Sequence, residues 1–260
     1  MAQEHLFCTV EDAGPVRVVT LNRPEVMNAL HTAAHEELAQ VWDEFARRPD
    51  LWVAIVTGAG DRAFCAGNDL KAQAQQGPVR LAQTGFAGLT HRFDLDKPLI
   101  AAVNGVAMGG GFEIALACDL IVASEQAVFA LPEVRVGLIA GAGGLHRLPR
   151  MIPQKQALGM ILTGRRVSAA EGAGLGFVNE VVAPDQLMVA ARRWADLILE
   201  CSPMAIKASK QTLYGGFDEP TLEAAICKVY AAHAANRASE DYIEGPKAFT
   251  EKRRPVWLNR

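Results

Sequence analysis

The sequence of 260 residues lacks the motifs of several large enzyme classes. No Gly-Lys pair exists, which excludes a Walker A phosphate loop, and the absence of Gly-x-Ser-x-Gly disfavours an α/β-hydrolase. The five cysteines are scattered and form no Cys-x-x-Cys pair. We therefore expect reduced thiols in a cytoplasmic protein, and neither a disulfide framework nor a metal site. Residues 1–5 also lack the basic and apolar segments of a signal peptide.

Positive charge is not in excess, because 26 Lys and Arg stand against 29 Asp and Glu, for a net charge of −3. A protein whose main partner is nucleic acid needs a basic surface, so that function is disfavoured. One apolar stretch, 98–118, has the length of a membrane span. Asn104 and the glycines at 109–111 interrupt it, so we interpret it as a buried strand, a tight loop and a buried helix, and expect no membrane association.

What is present in the first part of the chain is an alternation of β-rich and helical segments. The pattern predicts strands over 5–10, 16–21, 51–57, 99–103 and 120–123, and helices over 32–47 and 110–117. Strands that alternate with helices form mostly parallel sheets, so we expect an α/β core. The segment 71–90 is rich in Gln, Ala and Gly, and predicts a mobile flap or a partly disordered loop.

The β signal ends near residue 184. Helices are predicted over 184–200, 203–214, 220–235 and 240–251, separated by proline and glycine. We expect two regions, a core over 1–195 and a helical C-terminal region over 196–260 that packs on the core or on another subunit.

Two local patterns resemble functional motifs without their context. The segment 58–63 matches the Gly-x-Gly-x-x-Ala dinucleotide fingerprint, but no helix is predicted after it and no acid follows at the required spacing. His31 and His35 lie four residues apart without the glutamate of a zinc-protease helix, so we interpret both as polar surface residues. Cys65 has no activating neighbour and is interpreted as a small packing residue.

The most informative segment contains three consecutive glycines at 109–111, followed by Glu113 in an apolar helix. Glycines that open a helix leave backbone N–H groups accessible to a ligand, and the helix dipole favours negative charge there. A carboxylate in apolar surroundings is costly unless it is paired or functional. The alternative for Glu113 alone is a capping role in the first turn.

Glu133 is a second carboxylate in an apolar segment, and a glycine-rich turn, 141–144, follows it. Two buried glutamates beside a glycine-lined cavity are suited to acid–base chemistry, because repulsion and desolvation raise one pKa and keep one group protonated. Spacing does not show that the two converge, and Glu133 alone would read as a loop carboxylate. A third segment, 63–70, is a small-residue turn after a strand and is suited to presenting a backbone N–H.

Together these segments resemble the enoyl-CoA hydratase/isomerase (crotonase) superfamily over nearly the whole chain. The resemblance is carried by NRP (22–24), NAL (28–30), AFCAGNDLK (63–71), KPLIAAVNGVAMGGGFEIALACD (97–119), FALPEVRVGL (129–138), GAGG (141–144), LTGRRVSAAEG (162–172) and EGPKAFTEKR (244–253). Within the superfamily, FAGLT (86–90), LDKP (95–98), LTGRR (162–166) and EKRRPVW (251–257) look most like carnitinyl-CoA dehydratases. The resemblance implies a spiral of ββα units whose helical C-terminal region forms homotrimers or dimers of trimers.

The resemblance also implies catalytic roles. The N–H groups of Asn68 and Gly110 would form an oxyanion hole for the thioester oxygen of an acyl-CoA, and Glu113 and Glu133 match the family's two catalytic glutamates. Glu113 would activate the water that attacks Cβ, while Glu133 would exchange a proton at Cα. The implied enzyme is a hydro-lyase that needs no cofactor beyond the coenzyme A of its substrate.

Several further positions match substrate-binding residues of the family. They are Ala66, Asp69, Leu70 and Lys71 at the adenine and pantetheine end, Gly141 beside the glutamates, and Phe249 and Lys252, which reach a neighbouring subunit's coenzyme A. Two residues depart from the common pattern: Asn68, whose side chain would face the acyl pocket, and Ala140, which replaces a proline. Open alternatives are a carnitinyl-CoA dehydratase, an enoyl-CoA isomerase and a non-catalytic acyl-CoA-binding subunit.

Overall fold

The computed structural model describes residues 5–77 and 81–260. The strands are β1 (Cys8–Ala13), β2 (Val16–Leu21), β3 (Val53–Gly58), β4 (Ala63–Cys65), β5 (Leu99–Val103), β6 (Val106–Met108), β7 (Leu120–Ser124), β8 (Val128–Ala130), β9 (Val167–Ser168) and β10 (Glu180–Val182). The helices are α1 (Thr32–Arg47), α2 (Leu70–Gln76), α3 (Gly110–Ala117), α4 (Gly144–Met151), α5 (Gln154–Thr163), α6 (Ala169–Leu175), α7 (Leu187–Leu199), α8 (Pro203–Gly216), α9 (Leu222–Cys227), α10 (Ala231–Arg237) and α11 (Glu240–Thr250). Four short 3₁₀ helices cover Pro24–Val26, Phe86–Gly88, Pro132–Val136 and Pro184–Gln186.

The strands form two sheets that the chain visits in turn. The first sheet has the order β1-β2-β3-β5-β7-β10 and is parallel except for the β1–β2 hairpin. The second has the order β4-β6-β8-β9, of which β4, β6 and β8 are parallel. From β3 to β8, each passage contributes one strand to the first sheet and then one to the second before a helical segment returns the chain. This is the spiral of ββα units that the family resemblance implied.

The central strands are buried on both faces because the first sheet lies between two layers. Val56 and Ala101 belong to the larger cluster, which contains the apolar stripe of α1 and the buried face of α3. The alternate residues Ile55 and Ile100 belong to a second cluster with α7. This two-residue alternation is the geometry of a strand whose two faces are both covered. It explains why these strands read as continuous apolar runs.

The predicted helical C-terminal region is present. Helices α8, α9, α10 and α11 pack mainly on one another, and Lys210 of α8 joins them to the core through an ion pair with Asp119 at 2.8 Å. Helix α7 packs on β3, β5 and β7, and it continues to Leu199, past the expected boundary at residue 195.

The predicted loop over 71–90 is wrong for most of the residues that the structure describes. Leu70–Gln76 is helical, and the Asp69 carboxylate accepts the Ala72 N–H at 3.1 Å as its N-cap. Residues 86–90 form a buried turn. The remaining positions of the predicted loop include 78–80, which lie outside the described residues.

Two other expectations are corrected at element boundaries. Strand β1 continues through Ala13, so that the hairpin turn is shorter than expected and contains Gly14 at φ +59°. The helix predicted over 220–235 is two helices, because the chain becomes extended at Lys228 and buries Tyr230, whose hydroxyl donates to the Ala225 carbonyl at 3.0 Å.

The interpretation of His31 and His35 as surface residues is wrong. His31 is half-buried and accepts the Ala34 N–H as the N-cap of α1. His35 is fully buried, one turn further along. The segment 98–118 contains the predicted buried strand, β5, and the predicted buried helix, α3, but the chain between them also forms strand β6, which was not predicted. None of the helices in the described residues combines the length and apolarity that a bilayer crossing requires.

Candidate active site

Three turns meet at one edge of the second sheet, because each follows the carboxyl end of a parallel strand. Residues 66–68 follow β4, the glycines at 109–111 follow β6, and residues 131–133 follow β8. Loops at the carboxyl ends of neighbouring parallel strands lie side by side and are a common position for ligand sites. The fold therefore brings Asn68, Gly110 and Glu133 together from distant parts of the sequence.

The glycines at this edge are required by close contacts. Gly109 has φ +54°, and a Cβ there would lie 2.8 Å from Oε1 of Glu133. A Cβ on Gly111 would overlap the Cys65 carbonyl oxygen. The absence of side chains lets α3 begin directly against β4 and lets the Glu133 carboxylate rest on the Gly109 backbone.

Glu113 lies one turn inside α3 and is buried, with 3% of its surface exposed. Its Oε1 accepts the Gly144 N–H of α4 at 2.8 Å, so it does not cap its own helix. Burial raises the pKa of Glu113 to about 7; the nearby Glu133 carboxylate adds to this shift, and the Gly144 N–H opposes it. Part of the Glu113 population is therefore protonated near neutral pH.

Glu133 lies on the 3₁₀ helix Pro132–Val136 and is half-buried. Its Oε2 is inaccessible to solvent and, within the described residues, has no hydrogen-bond partner. Burial raises the pKa of this carboxyl group as well. Two carboxyl groups with raised pKa values therefore lie at this edge of the sheet, which is a property that acid–base chemistry requires.

The two turns that carry the predicted oxyanion donors are adjacent. Gly67 has φ +91°, and a Cβ built on it would lie 3.1 Å from the Gly110 nitrogen. The turn that carries the Asn68 N–H thus passes directly beside the start of α3. The Gly110 N–H belongs to the first turn of a helix and has no intrahelical acceptor. An oxyanion hole requires two neighbouring donors of this kind.

The Asn68 side chain is oriented by α2, an element that sequence reasoning missed. Its Nδ2 donates to Oε1 of Gln73, and its Oδ1 is buried without a hydrogen-bond partner among the described residues. Asp69, three residues before Ala72 and followed by residues that favour helix, is a typical N-cap, and this signal could have identified α2.

The other predicted substrate-binding residues lie in different settings. Asp69 is buried, and its carboxylate caps α2 and pairs with Arg23 at 3.0 Å, so its polar groups are engaged within the protein. Ala66 is half-buried, whereas Leu70, Lys71 and Gly141 are exposed. Phe249 and Lys252 are exposed at the end of α11, which packs mainly on α8 and α10 rather than on the site.

Two residues that the sequence did not single out complete the site. Phe86 places its ring against Gly110, with Cζ 2.5 Å from the position of an added Cβ. Arg147 of α4 is near enough to Glu113 to favour its ionised form, and its Nη2 donates to the Thr90 carbonyl at 2.7 Å. Both contacts join residues separated widely in sequence.

A metal ligand set is not found at this edge within the described residues. Within the described residues, the one group of three potential metal ligands is His5, Cys8 and Glu37, which lies near the N-terminus. The Glu37 carboxylate already accepts the N–H groups of residues 6–8 at 2.8 to 3.0 Å, so it holds the N-terminal segment against α1. All five cysteines are free, and burial raises the pKa of Cys65 to about 12, as suits a packing residue.

The raised pKa of Glu113 predicts a pH-dependent cost to folding. Between its ordinary value of 4.5 and about 7, the folded protein retains a proton that the unfolded chain releases, so the free energy of unfolding falls as pH rises through this window. We expect Glu113→Gln to remove a penalty on the order of 3 kcal/mol above about pH 7. Urea denaturation of both proteins at about pH 5 and about pH 8 tests this. An equal stability difference at the two pH values would contradict it.

Comparisons with known proteins identify the family of this chain. The family model described as enoyl-CoA hydratase/isomerase matches residues 11–260. A carnitinyl-CoA dehydratase from Salmonella typhi is 44% identical over 255 residues, 95% of this chain and 96% of that protein. The crystal structure of an enoyl-CoA hydratase from Mycobacterium tuberculosis H37Rv superposes with a TM-score of 0.91 at 38% identity, covering 98% and 99% of the two chains. The crystal structure of a carnitinyl-CoA hydratase from Mycobacterium avium superposes with a TM-score of 0.78 at 42% identity, covering 99% of this chain and 100% of that chain.

Proposed function

The chain belongs to the enoyl-CoA hydratase/isomerase family and is a hydro-lyase that acts on acyl-CoA thioesters, and we propose that Glu113 and Glu133 carry its acid–base chemistry. The observation that carries the proposal is their convergence with the turns that hold the Asn68 and Gly110 amides, at one edge of the second sheet. Neither the carboxyl pair nor the amides require a metal or redox cofactor, because the reaction moves only protons and water.

The proposed steps give each group the role that the family resemblance implies. The N–H groups of Asn68 and Gly110 hold the thioester oxygen and stabilise the enolate that forms when the Cα–Cβ double bond is attacked. Glu113 accepts a proton from water as its oxygen bonds to Cβ, and Glu133 delivers a proton to Cα. In the reverse direction Glu133 removes the Cα proton, and Glu113 protonates the departing hydroxyl.

The main alternative within this activity is a carnitinyl-CoA substrate, which the 44% identical relative favours. A trimethylammonium group is recognised by aromatic faces. Phe86 places an aromatic ring against Gly110, and Asn68, in the turn beside Gly110, has a buried acceptor, Oδ1, without a hydrogen-bond partner among the described residues. The identity to that relative therefore favours a substituted acyl group over a long alkyl chain.

The deciding experiment is a panel of thioesters: crotonyl-CoA, a long-chain 2-enoyl-CoA, crotonobetainyl-CoA and a 3-enoyl-CoA. We expect hydration of the 2-enoyl substrates, with a short or polar acyl group preferred. Migration of the 3-enoyl double bond without hydration would instead identify an isomerase, and binding of every thioester without turnover would identify a non-catalytic acyl-CoA-binding subunit.

We also propose that the functional unit is a homotrimer or a dimer of trimers, in which the C-terminal region 196–260 meets a neighbouring subunit. Phe249 supports this because 85% of its surface is exposed in the single chain. Sedimentation equilibrium is expected to give three or six times the chain mass of 27.9 kDa. The free cysteines, two of them exposed, support a reducing cytoplasmic location.

Lys252 provides a test of whether the C-terminal region of one subunit contacts the coenzyme A bound to another. If it reaches the coenzyme A of a neighbour, Lys252→Ala should raise KM about 10-fold through loss of a charge-assisted contact, with little change in kcat. The exposed Lys155 of α5 offers a control, since Lys155→Ala removes the same charge elsewhere. Equal KM values for the two variants would contradict a role for Lys252.

A further inference from the structure

The segment 86–88, which lies beside Gly110, forms an unusual turn. Residues 86–88 form a single 3₁₀ turn in which Ala87 has φ +54° and Gly88 has φ +63°. A left-handed conformation is unfavourable for alanine, so surrounding contacts must impose it. The turn places the Phe86 ring against Gly110.

Helix α1 supplies those contacts from one face. The Ala87 N–H donates to Nδ1 of His35 at 2.9 Å, and the Ala87 carbonyl accepts Nε1–H of Trp42 at 3.0 Å. Between these residues along the helix, Ala39 is packed so closely on Gly88 that an added Cβ would overlap its backbone. Positions 35, 39 and 42 lie on one side of a helix. Both backbone polar groups of Ala87 are thus satisfied by α1 side chains.

His35 has a specific electronic state as a consequence. Because Nδ1 accepts a hydrogen bond, the ring hydrogen lies on Nε2, and burial lowers the pKa of His35 to about 4, which keeps the ring neutral. Nε2 is buried and has no partner among the described residues. An unpaired buried donor is a cost that an apolar residue would avoid. Packing alone therefore does not explain a histidine here, whereas the bond to Ala87 does.

We propose that His35 is a positioning residue that holds the Phe86 turn against Gly110 and so maintains the wall of the oxyanion site. The inference rests on the proposed role of Gly110 in binding the thioester oxygen. The His35 ring also packs on Phe86 directly, with ring centroids 4.4 Å apart. His35 thus acts on the turn through both its nitrogen and its ring face.

A shift of the turn would reach the carboxyl pair as well. Phe86 N–H donates to Oγ1 of Thr90 at 2.9 Å, and the Thr90 carbonyl accepts from Arg147. Arg147 belongs to α4, whose first residue, Gly144, donates to Glu113. The turn therefore lies between α1 and the helix that orients Glu113, and its displacement should alter turnover rather than coenzyme A binding.

The test compares two substitutions of similar size at residue 35. His35→Asn retains an acceptor at the position of Nδ1, whereas His35→Leu removes the acceptor and the unpaired donor. Val41→Ala is the control, because it removes buried volume from the same helix. The readouts are hydrogen–deuterium exchange of peptides covering 86–90, and kcat and KM for the best substrate of the panel.

We expect His35→Leu to accelerate exchange at 86–90 and to lower kcat by about 10- to 100-fold with little change in KM, and His35→Asn to restore both to near the native values. Unchanged exchange at 86–90 in His35→Leu would overturn the proposal. So would equal effects of His35→Leu and Val41→Ala, or an Asn variant as impaired as the Leu variant. If the native protein turns over no thioester, the function proposal fails, while the exchange measurement still decides the role of His35.

Discussion

Glu113→Gln and Glu133→Gln are each expected to lower kcat for hydration by about 10²- to 10⁴-fold. Glutamine preserves the shape of the side chain and its contact with Gly144 or Gly109, but it cannot exchange a proton at the catalytic pH. The affinity for coenzyme A should remain within about 10-fold of the native value, because neither carboxylate is expected to contact the nucleotide. Loss of the enoyl absorbance measures turnover, and calorimetric titration with coenzyme A measures binding.

Glu125→Gln is a suitable control, since Glu125 is exposed and lies outside the site. The double variant Glu113→Gln/Glu133→Gln should be scarcely slower than either single one, because groups that act as a unit are not additive. Full activity in both single variants would refute the acid–base assignment. If Glu113→Gln still migrated the double bond of a 3-enoyl-CoA and Glu133→Gln did not, the result would favour an isomerase, which adds no water.

Gly111→Ala is expected to destabilise the folded protein by about 3 kcal/mol or more. The added methyl group would overlap the Cys65 carbonyl oxygen, and this oxygen belongs to the backbone of β4 and cannot rotate away. Relief requires α3 to move off the second sheet, which would also displace Gly110 and Glu113. Urea denaturation measures the loss of stability, and a variant too unstable to purify agrees with the same prediction.

Gly159→Ala is the matched control for this substitution. Gly159 lies inside α5 with no atom within 4 Å of an added Cβ. Alanine there should stabilise the protein by up to about 1 kcal/mol, because it favours the helix and meets no obstacle. If the two variants had the same stability, the close approach of α3 to β4 would not be what makes Gly111 necessary.

The sequence predicted the long elements and the chemical character of the two acids. Helix α1 and strands β2 and β5 were identified at their observed ends because apolar periodicity over five or more residues is a strong local signal. Glu113 was recognised because a carboxylate between Phe112 and Ile114 has a desolvation cost that can be inferred from its sequence neighbours alone.

The three strands that lead into the candidate active site carry no comparable periodicity in the sequence. β4, β6 and β8 have three residues each, too few to show alternation, and they exist because they pair with one another across the spiral. Helix α2 was missed for a different reason: its small and polar residues were read as a loop, although Asp69 supplies a normal N-cap.

His35 shows where local reasoning fails altogether. Nothing near it in sequence distinguishes it from the half-buried His31 one turn before. Its burial and its hydrogen bond depend on Ala87, which is 52 residues away. The contacts of His35 with Ala87 and with the ring of Phe86 exist only in the folded protein, so the sequence around His35 does not predict them.

The sequence by itself determined the α/β class, the helical C-terminal region and the presence of two costly carboxylates beside glycines, because each depends on composition, periodicity or steric size over a few neighbours. The tertiary structure alone decided that Glu113 meets the Gly144 amide, that Glu133 rests on Gly109, and that Asn68 lies beside Gly110. These contacts depend on the register of short parallel strands. That register is set by the packing of the whole spiral, which local residue patterns do not encode.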